Sequence, residues 1–467
     1  MADDISINIK ETLAPNPSQC NLSAPKITSS GCFENPWDTF KGLPGVAAAI
    51  KWLLFRDTSQ SLPPKVETLD EELPVHRYPN PSAEPTTKPG TSMANPGVAL
   101  TWIGHATVVA QIDGLTVLTD PIFSERCSPL QFAGPQRYRP PPCTVDELPE
   151  VLSMKFHRIA NAVVPEGIKS EASGSDSDSD YVNSNSDEYS DEIDEMLDIP
   201  VTTGNNDEQF SFEVTVSKST NASETSNSDA DIEKIHAVVI SHAHYDHLDL
   251  NSVRSLNNRF GTKLKWCVPM GHRSWFTSIG VRNVTEMTWW DELSFDKNTS
   301  DAMINADDVS KRTFKIICVP AQHWSNRGIL DRNKTLWSGW ACKGPFSSFY
   351  FAGDTGYSPL PFEEIGQQYG PFTAAAIPIG CYKPRHFMCQ QHVDPADAIK
   401  IHNNVQSRFS IGVHWGTFRM GSSEAWSEPR ELLKEEAKNA KLKINEFVTV
   451  NIGQTVYLNP SGEPIND

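Results

Sequence analysis

The sequence predicts an α/β (α+β) protein made of two layers of β-sheet with helices packed outside them. Three observations lead there. Apolar runs of strand length recur through most of the chain, Asp113-Gly114 sits between two of them as a hairpin turn, and two segments open with the Asp-Pro or Glu-Pro chemistry of a helix N-terminus. Many strands with interspersed helices imply stacked sheets rather than a helical bundle.

Taken in order, residues 1–30 are polar and read as a disordered tail. Residues 31–97 read as an extension that packs on the core. Within it, LPGVAAAIKWLLF (43–55) is apolar except for Lys51 and suits a docked helix. Trp52 and Phe55, flanked by Lys51 and Arg56, would equally suit a membrane surface. The main domain covers 98–150 and 235–460. It opens with VALTWIG, TVVAQID and LTVLTD as strands, followed by the Pro-rich loop GPQRYRPPPC (134–143). Residues 151–234 differ in kind: acidic, serine-rich and of low complexity, they bury too little apolar surface to offset the cost of ordering and read as a disordered insert. Ser175, Ser177 and Ser179 lie among acids there and suit an acid-directed kinase. A smaller polar insert spans 295–312. Strands are expected in IHAVVIS (235–241), KLKWCVP (263–269), FKIICVP (314–320), TLWSGWAC (335–342), SFYFAGD (348–354), AAAIPIG (374–380), FSIGVHW (409–415) and EFVTVNI (446–452). The helices are DPADAIKIHNNV (394–405) and EPRELLKEEAKNAKLK (428–443).

The net charge of −19 is unevenly spread. Residues 170–232 hold 17 Asp and Glu against Lys218 alone, or −16, which leaves −3 for the rest. A nearly neutral body lacks the basic face that phosphate contacts demand, so nucleic acid is not an expected partner. The 9 cysteines are scattered without a C-x-x-C pair, which suits reduced thiols in the cytosol. MADDISINIK is no signal peptide, and no apolar run reaches the roughly eighteen residues of a membrane span. An intracellular protein is expected.

The chemistry concentrates in VVISHAHYDHLDL (238–250). An apolar run delivers His242, His244, Asp246, His247 and Asp249 within a few residues. Imidazole and carboxylate are the ligands that suit zinc and similar ions. Four such groups in six residues exceed the needs of one catalytic metal and suit two, about 3.5–4 Å apart. His323, Asp354 and His414 each follow a strand. Singly each would be an ordinary structural residue; together, at the ends of successive strands, they supply the missing ligands, and a carboxylate at Asp354 can bridge two ions.

The H-x-H-x-D-H run with downstream His, Asp and His at strand ends resembles the metallo-β-lactamase superfamily, an αββα sandwich. Further stretches resemble one family within it, the N-acylphosphatidylethanolamine-hydrolysing phospholipases D: NPWDTF (35–40), ELPV (72–75), TWIGHATV (101–108), LTDPIFSERCSP (118–129), NKTLWSGW (333–340), FAGDTGY (351–357), AAIPIGCYKPR (375–385), QHVDPADAI (391–399) and IGVHWGTF (411–418). The resemblance covers roughly 33–150, 235–294 and 314–420. It implies that His242, His244 and His323 hold one Zn2+, that Asp246, His247 and His414 hold a second, and that Asp354 bridges them. It implies a hydroxide between the ions that attacks the phosphorus of N-acylphosphatidylethanolamine, with His392 as proton donor to the leaving alkoxide. Phosphatidic acid and N-acylethanolamine would be the products.

Asp120 would orient a ligand histidine, as metal-bound imidazoles commonly require, and His105 would act similarly or simply pack. Tyr245 and Gln391 are further candidates for contacting substrate. A phospholipid at a membrane surface is the implied partner, met peripherally on the cytosolic face, and a homodimer is the implied assembly. The loop Trp324-Ser325-Asn326-Arg327 is only weakly basic for a site that clamps an anionic headgroup. Two other readings share parts of this pattern. Another hydrolase of the same fold, a lactonase or a different phosphodiesterase, would use the same ligands. A non-catalytic lipid-binding protein would not need all of them.

Overall fold

The computed structural model describes residues 22–45, 51–52, 65–78, 90, 95–151, 156–159, 234–296, 313–328 and 330–465. The chain divides into a body, 1–163 with 229–467, and a second unit, 164–228, which lies outside the described residues. The serine-rich stretch with Ser175, Ser177 and Ser179 therefore falls outside them, as do residues 1–21 and most of 43–55.

The body begins with a small ribbon, β1 (Lys26–Ile27) and β2 (Phe33–Glu34), and the helix α1 (Val66–Glu72). Then come β3 (Val98–Gly104), β4 (Thr107–Ile112), β5 (Leu115–Thr119), β6 (Glu150–Val151), β7 (Phe156–Ile159), β8 (Lys234–Ile235) and β9 (Ala237–Val239). Helix α2 (Leu250–Phe260), β10 (Lys265–Pro269), α3 (Arg273–Ser278), β11 (Val284–Met287), β12 (Glu292–Asp296), β13 (Thr313–Val319), β14 (Gly339–Lys343) and β15 (Ser348–Phe351) follow. The chain ends with α4 (Pro359–Tyr369), β16 (Ala374–Pro378), α5 (Arg385–Met388), α6 (Pro395–Asn404), β17 (Ser410–Val413), α7 (Glu428–Asn439), β18 (Phe447–Val448) and β19 (Thr455–Leu458).

Two mixed sheets result. One has the order β11-β10-β9-β5-β4-β3-β19, the other β18-β17-β16-β15-β14-β13-β12-β7. The β4–β5 hairpin turns at Asp113 and Gly114, both with positive φ (51° and 93°), as a tight two-residue connection requires. The Asp113 carboxylate then accepts from the N–H groups of Gly97, Phe346 and Ser347, tying the turn to both sheets.

Alternation along β4 shows why its residues are all buried. Val108, Ala110 and Ile112 join the core between the sheets, where Phe314, Ile316, Trp340 and Phe351 meet them from the other layer. Val109 points the other way, into a cluster with Val253, Leu256 and Phe260 of α2 and Phe276 of α3. Each face of the strand has its own cover, so period-two alternation produces no polar face. The arrangement is the αββα sandwich.

Several boundaries differ from the sequence expectation. The body is engaged from residue 22, not 31: the Trp37 and Trp290 indoles donate to Ser23, whose own N–H donates to Glu364. The insert predicted over 151–234 loses residues 156–159, because β7 pairs with β12 at the sheet edge, and its two ends pair as β6 and β8. The insert predicted over 295–312 loses Phe295, which is fully buried and stacks on Phe314 at 5.6 Å. EFVTVNI is not one strand. Gly453 (φ 78°) brings the chain so close to His76 that a Cβ would lie 1.7 Å from its carbonyl, and this turn separates β18 from β19.

Candidate metal centre

Chain direction puts the chemistry at one edge. β5 and β9 are parallel, as are β15, β16 and β17, while β13 runs two antiparallel steps from β15 and so points the same way. His105 follows β3, Asp120 follows β5, the 242–247 run follows β9, His323 follows β13, Asp354 follows β15 and His414 follows β17. Three of these, His105 (φ 52°), Asp120 (φ 32°) and His414 (φ 63°), hold a left-handed backbone that non-glycine residues rarely adopt. Strain of this kind, on the order of 1–3 kcal/mol per residue, gathers where the surrounding structure enforces a site.

The first cluster is three imidazoles. His242 Nε2 lies 2.8 Å from His244 Nδ1, and His323 Nε2 lies 3.3 Å from the same atom. Burial pulls the His242 and His323 imidazoles well below the ordinary range, and the neighbouring rings push them the same way. Burial brings His244 down to about 4. Three neutral rings thus turn nitrogens toward one point.

The second cluster is zwitterionic. Asp246 Oδ2 lies 3.5 Å from His247 Nε2 and 3.4 Å from His414 Nε2. Burial lowers the His247 imidazole, yet Asp354, Asp246 and Asp120 outweigh it and hold the ring well above its ordinary value. His414 rises to about 9 against burial, through Asp354 and Asp246. Asp354 stands between the clusters. Its Oδ2 is 3.1 Å from His247, 3.9 Å from His323 and 4.0 Å from His242, and its Oδ1 is 3.1 Å from His414.

These residues are suited to holding metal. His247 Nε2, His414 Nε2 and Asp354 Oδ1 are buried and, although Asp354 lies 3.1 Å from each ring, they make no hydrogen bond of good geometry among the described residues, a state that a cation would relieve. The donor set of imidazoles and carboxylates is that of zinc and related ions.

Other groups hold these side chains in place. Asp120 Oδ2 lies 2.7 Å from His247 Nδ1 and 2.5 Å from Ser241 Oγ, and Ser241 Oγ is 2.9 Å from His242 Nδ1. One carboxylate thereby orients an imidazole in each cluster. His105 Nε2 is 3.0 Å from Asp246 Oδ2. The backbone carbonyl of Gln391 accepts from His323 Nδ1 at 2.9 Å, while its side chain accepts from the Trp324 indole. Asp249 caps α2 through Ser252 N–H and holds no place in either cluster.

Arg327 carries no mark in the sequence beyond its charge. Its guanidinium donates to the carbonyls of Ala243 and Leu248, bracing both ends of the ligand loop, and it lies over the rings of Tyr245 and Trp275. The cation of the weakly basic loop is therefore spent on the scaffold.

A cavity of about 620 Å³ opens over the clusters. His244, Asp246, Asp354 and His392 line it together with Tyr245 and Gln391, and Leu43, Pro44, Trp52, Phe387, Met388 and Met420 add an apolar lining. His392 Nδ1 is 3.7 Å from Asp354 Oδ2, and burial lowers its imidazole to about 4, so the ring is neutral near pH 7.

A model of the beta-lactamase superfamily domain matches residues 211–415. An N-acyl-phosphatidylethanolamine-hydrolyzing phospholipase D of Caenorhabditis elegans is 32% identical over 96% of this chain and 98% of its own length. The mitochondrial N-acyl-phosphatidylethanolamine-hydrolyzing phospholipase D of Saccharomyces cerevisiae is 35% identical over 44% of this chain and 41% of its own. Among solved structures, a metallo hydrolase from Ignicoccus hospitalis aligns with a TM-score of 0.41 and 16% identity, covering 78% of this chain and 98% of that one.

Proposed function

Because the chain belongs to the N-acylphosphatidylethanolamine-hydrolysing phospholipase D family of the metallo-β-lactamase superfamily, we propose that it hydrolyses N-acylphosphatidylethanolamine to phosphatidic acid and N-acylethanolamine. A metal-dependent hydrolase of the phosphodiesterase type is what its relatives and its fold support. The single observation that carries the finer reading is the cavity: residues of both ligand clusters in its lining, the rest apolar enough for acyl chains.

His242, His244 and His323 would hold one zinc, Asp246, His247 and His414 a second, and Asp354 would join the two. A zinc pair, when bound, supplies a water acidified to a pKa of about 7 as nucleophile and Lewis-acid neutralisation of phosphate oxygens. The protein's own groups do the rest. Asp120 and His105 hold His247 and Asp246 in register. His392, neutral near pH 7, would hydrogen-bond the leaving oxygen through a ring N–H, and the proton that completes the alcohol would come from the attacking water. Tyr245 and Gln391 shape the side of the cavity beside the reacting phosphate, and Trp52, Phe387 and Met388 exclude water from the acyl chains.

A lipid substrate calls for contact with a membrane surface, which the same reading places on the cytosolic face, with a homodimer as the assembly. Among the described residues no helix is long and apolar enough to cross a membrane.

Purified chain, N-acylphosphatidylethanolamine vesicles and zinc should yield N-acylethanolamine by mass spectrometry. Asp354→Asn and His244→Ala should lower that release on the order of 10³-fold or more. Near-normal turnover in an Asp354→Asn protein that has lost zinc would refute the assignment.

A further inference from the structure

Among the described residues, seven large apolar side chains are exposed, and three of them sit on the two loops that border the cavity mouth. Phe132 is 80% exposed and Leu130 51%, at the tip of the loop that supplies Cys127 and Pro135 to the cavity lining. Leu330 is 90% exposed, on the loop that supplies Trp324 and Arg332. Hydrogen bonds tie the described residues of both loops back. In the first loop, Gln131 Nε2 donates to the Arg126 and Ser128 carbonyls, Ala133 N–H to Leu130, and the Arg126 guanidinium to Gly134 and Gln136. In the second, the Asp331 carboxylate accepts from the N–H groups of Arg327 and Gly328, and Asn333 ties back to Ser325. Both loops hold much of these apolar side chains out in water, which costs solvation.

We propose that these two tips are a docking surface for a bilayer containing anionic phospholipid, with Phe132, Leu130 and Leu330 entering the acyl region beside the cavity mouth. The proposal rests on the phospholipid reading and names where that substrate's bilayer is met. The first loop, braced through its tip, loses little conformational freedom on insertion, so most of its apolar transfer appears as affinity. The charge around the mouth decides the lipid class. Among the described residues that line the cavity Arg332 is the one Lys or Arg, with Asp246 and Asp354 at the ligand clusters, and exposed Lys41 and Lys51 adjoin lining residues, Lys41 through its N–H to Gln390, which precedes Gln391, and Lys51 next to Trp52. Cations close to a surface favour an anionic leaflet.

Sedimentation of the full chain with vesicles tests this, using phosphatidylcholine alone and phosphatidylcholine mixed with phosphatidylserine, both free of substrate. The wild-type chain should bind the mixed vesicles more tightly. Phe132→Ser and Leu330→Ser should each weaken binding to both kinds about tenfold, and more in combination. Lys41→Glu should weaken binding to the mixed vesicles alone. Phe132→Trp should show an emission blue-shift with vesicles that brominated lipid quenches. A double variant F132S/L330S that sediments like wild type, or a Phe132→Trp emission that vesicles leave unchanged, would overturn the proposal. So would a wild-type chain that ignores both vesicles, leaving the tips to a protein partner. These readouts need no turnover: vesicle binding without N-acylethanolamine release would sink the proposed reaction and leave the docking surface standing.

Discussion

The two ligand clusters differ in the protons they carry before any metal arrives. The His242, His244 and His323 rings are neutral near pH 7, whereas His247 and His414 hold protons against Asp354 and Asp246. A cation entering the second cluster must displace them. Zinc binding near pH 7 should therefore release about two protons, one from each ring, measurable by calorimetry in buffers of different ionisation enthalpy. The sign for the metal-free chain follows from His414. Its pKa is raised from 6.5 to about 9, so its contribution to stability is full below 6.5 and is lost as pH rises through about 9. Proton release should shrink across that same window; release that stays constant from pH 7 to 10 would contradict the assignment. Asp120→Asn keeps the shape but removes the charge facing His247, and should weaken zinc binding about 10–100-fold in a chelator competition. Unchanged affinity would mean that Asp120 only closes the strand end. Geometry alone does not make a catalytic group elsewhere: His402 lies 2.8 Å from Ser410 and 3.1 Å from Glu446, but Ser410 is fully buried and no substrate reaches it.

At the level of elements, the site is a consequence of where strands stop. Apolar runs ending in His or Asp made the ends of β9, β13, β15 and β17 readable from residue type alone, and the structure brings those side chains within contact. The left-handed backbones of His105, Asp120 and His414 were not readable, because nothing in a His or Asp announces φ above zero. Arg327 and Ser241 were also silent, since their roles depend on carbonyls and carboxylates distant in sequence. Helix α2 was not readable although Val253, Leu256 and Phe260 keep a helical spacing, because polar residues, three asparagines among them, dilute the pattern. The turn after β15 offers a test. Gly353 has φ 61°, and a Cβ there would lie 2.7 Å from Ser241 Cβ and 2.9 Å from the Ser338 carbonyl. Gly353→Ala should cost about 1–2 kcal/mol for the left-handed backbone and about 1–3 kcal/mol more for the crowding. Because it presses on Ser241, which links Asp120 to His242, zinc affinity should fall with stability. Denaturant unfolding and metal titration on the same sample check both, and wild-type values in either would show that the turn can relax.

Over the whole molecule, charge and fold are nearly separate. Removing 170–232 takes away 17 acidic residues and one lysine, leaving a chain of about neutral balance at −3. The described strands of both sheets lie outside that stretch. The deletion should keep the thermal midpoint within about 2 °C, which in a chain this long is no more than about 2 kcal/mol. Metal content should stay the same, and binding to anionic vesicles should strengthen at low salt. Weaker binding would show that the acidic residues assist the contact. The sandwich itself was readable from strand-length runs and one hairpin turn. The edge strands β7 and β19 and the ribbon β1–β2 were not, because short strands are defined by the partner they pair with rather than by their own sequence.

The long connection between β7 and β8 also divides the catalytic equipment along the chain. Every proposed ligand, from His242 to His414, lies after it, while His105 and Asp120, which steady two of those ligands, lie before it. The halves are stitched by β5 against β9 and by β7 against β12. A single protease cut in the connection would thus leave two pieces, one bearing the reagents and the other the jig that aligns them. Neither half alone would be an enzyme, and their reunion would be a natural split reporter, switched on only when the two are brought together.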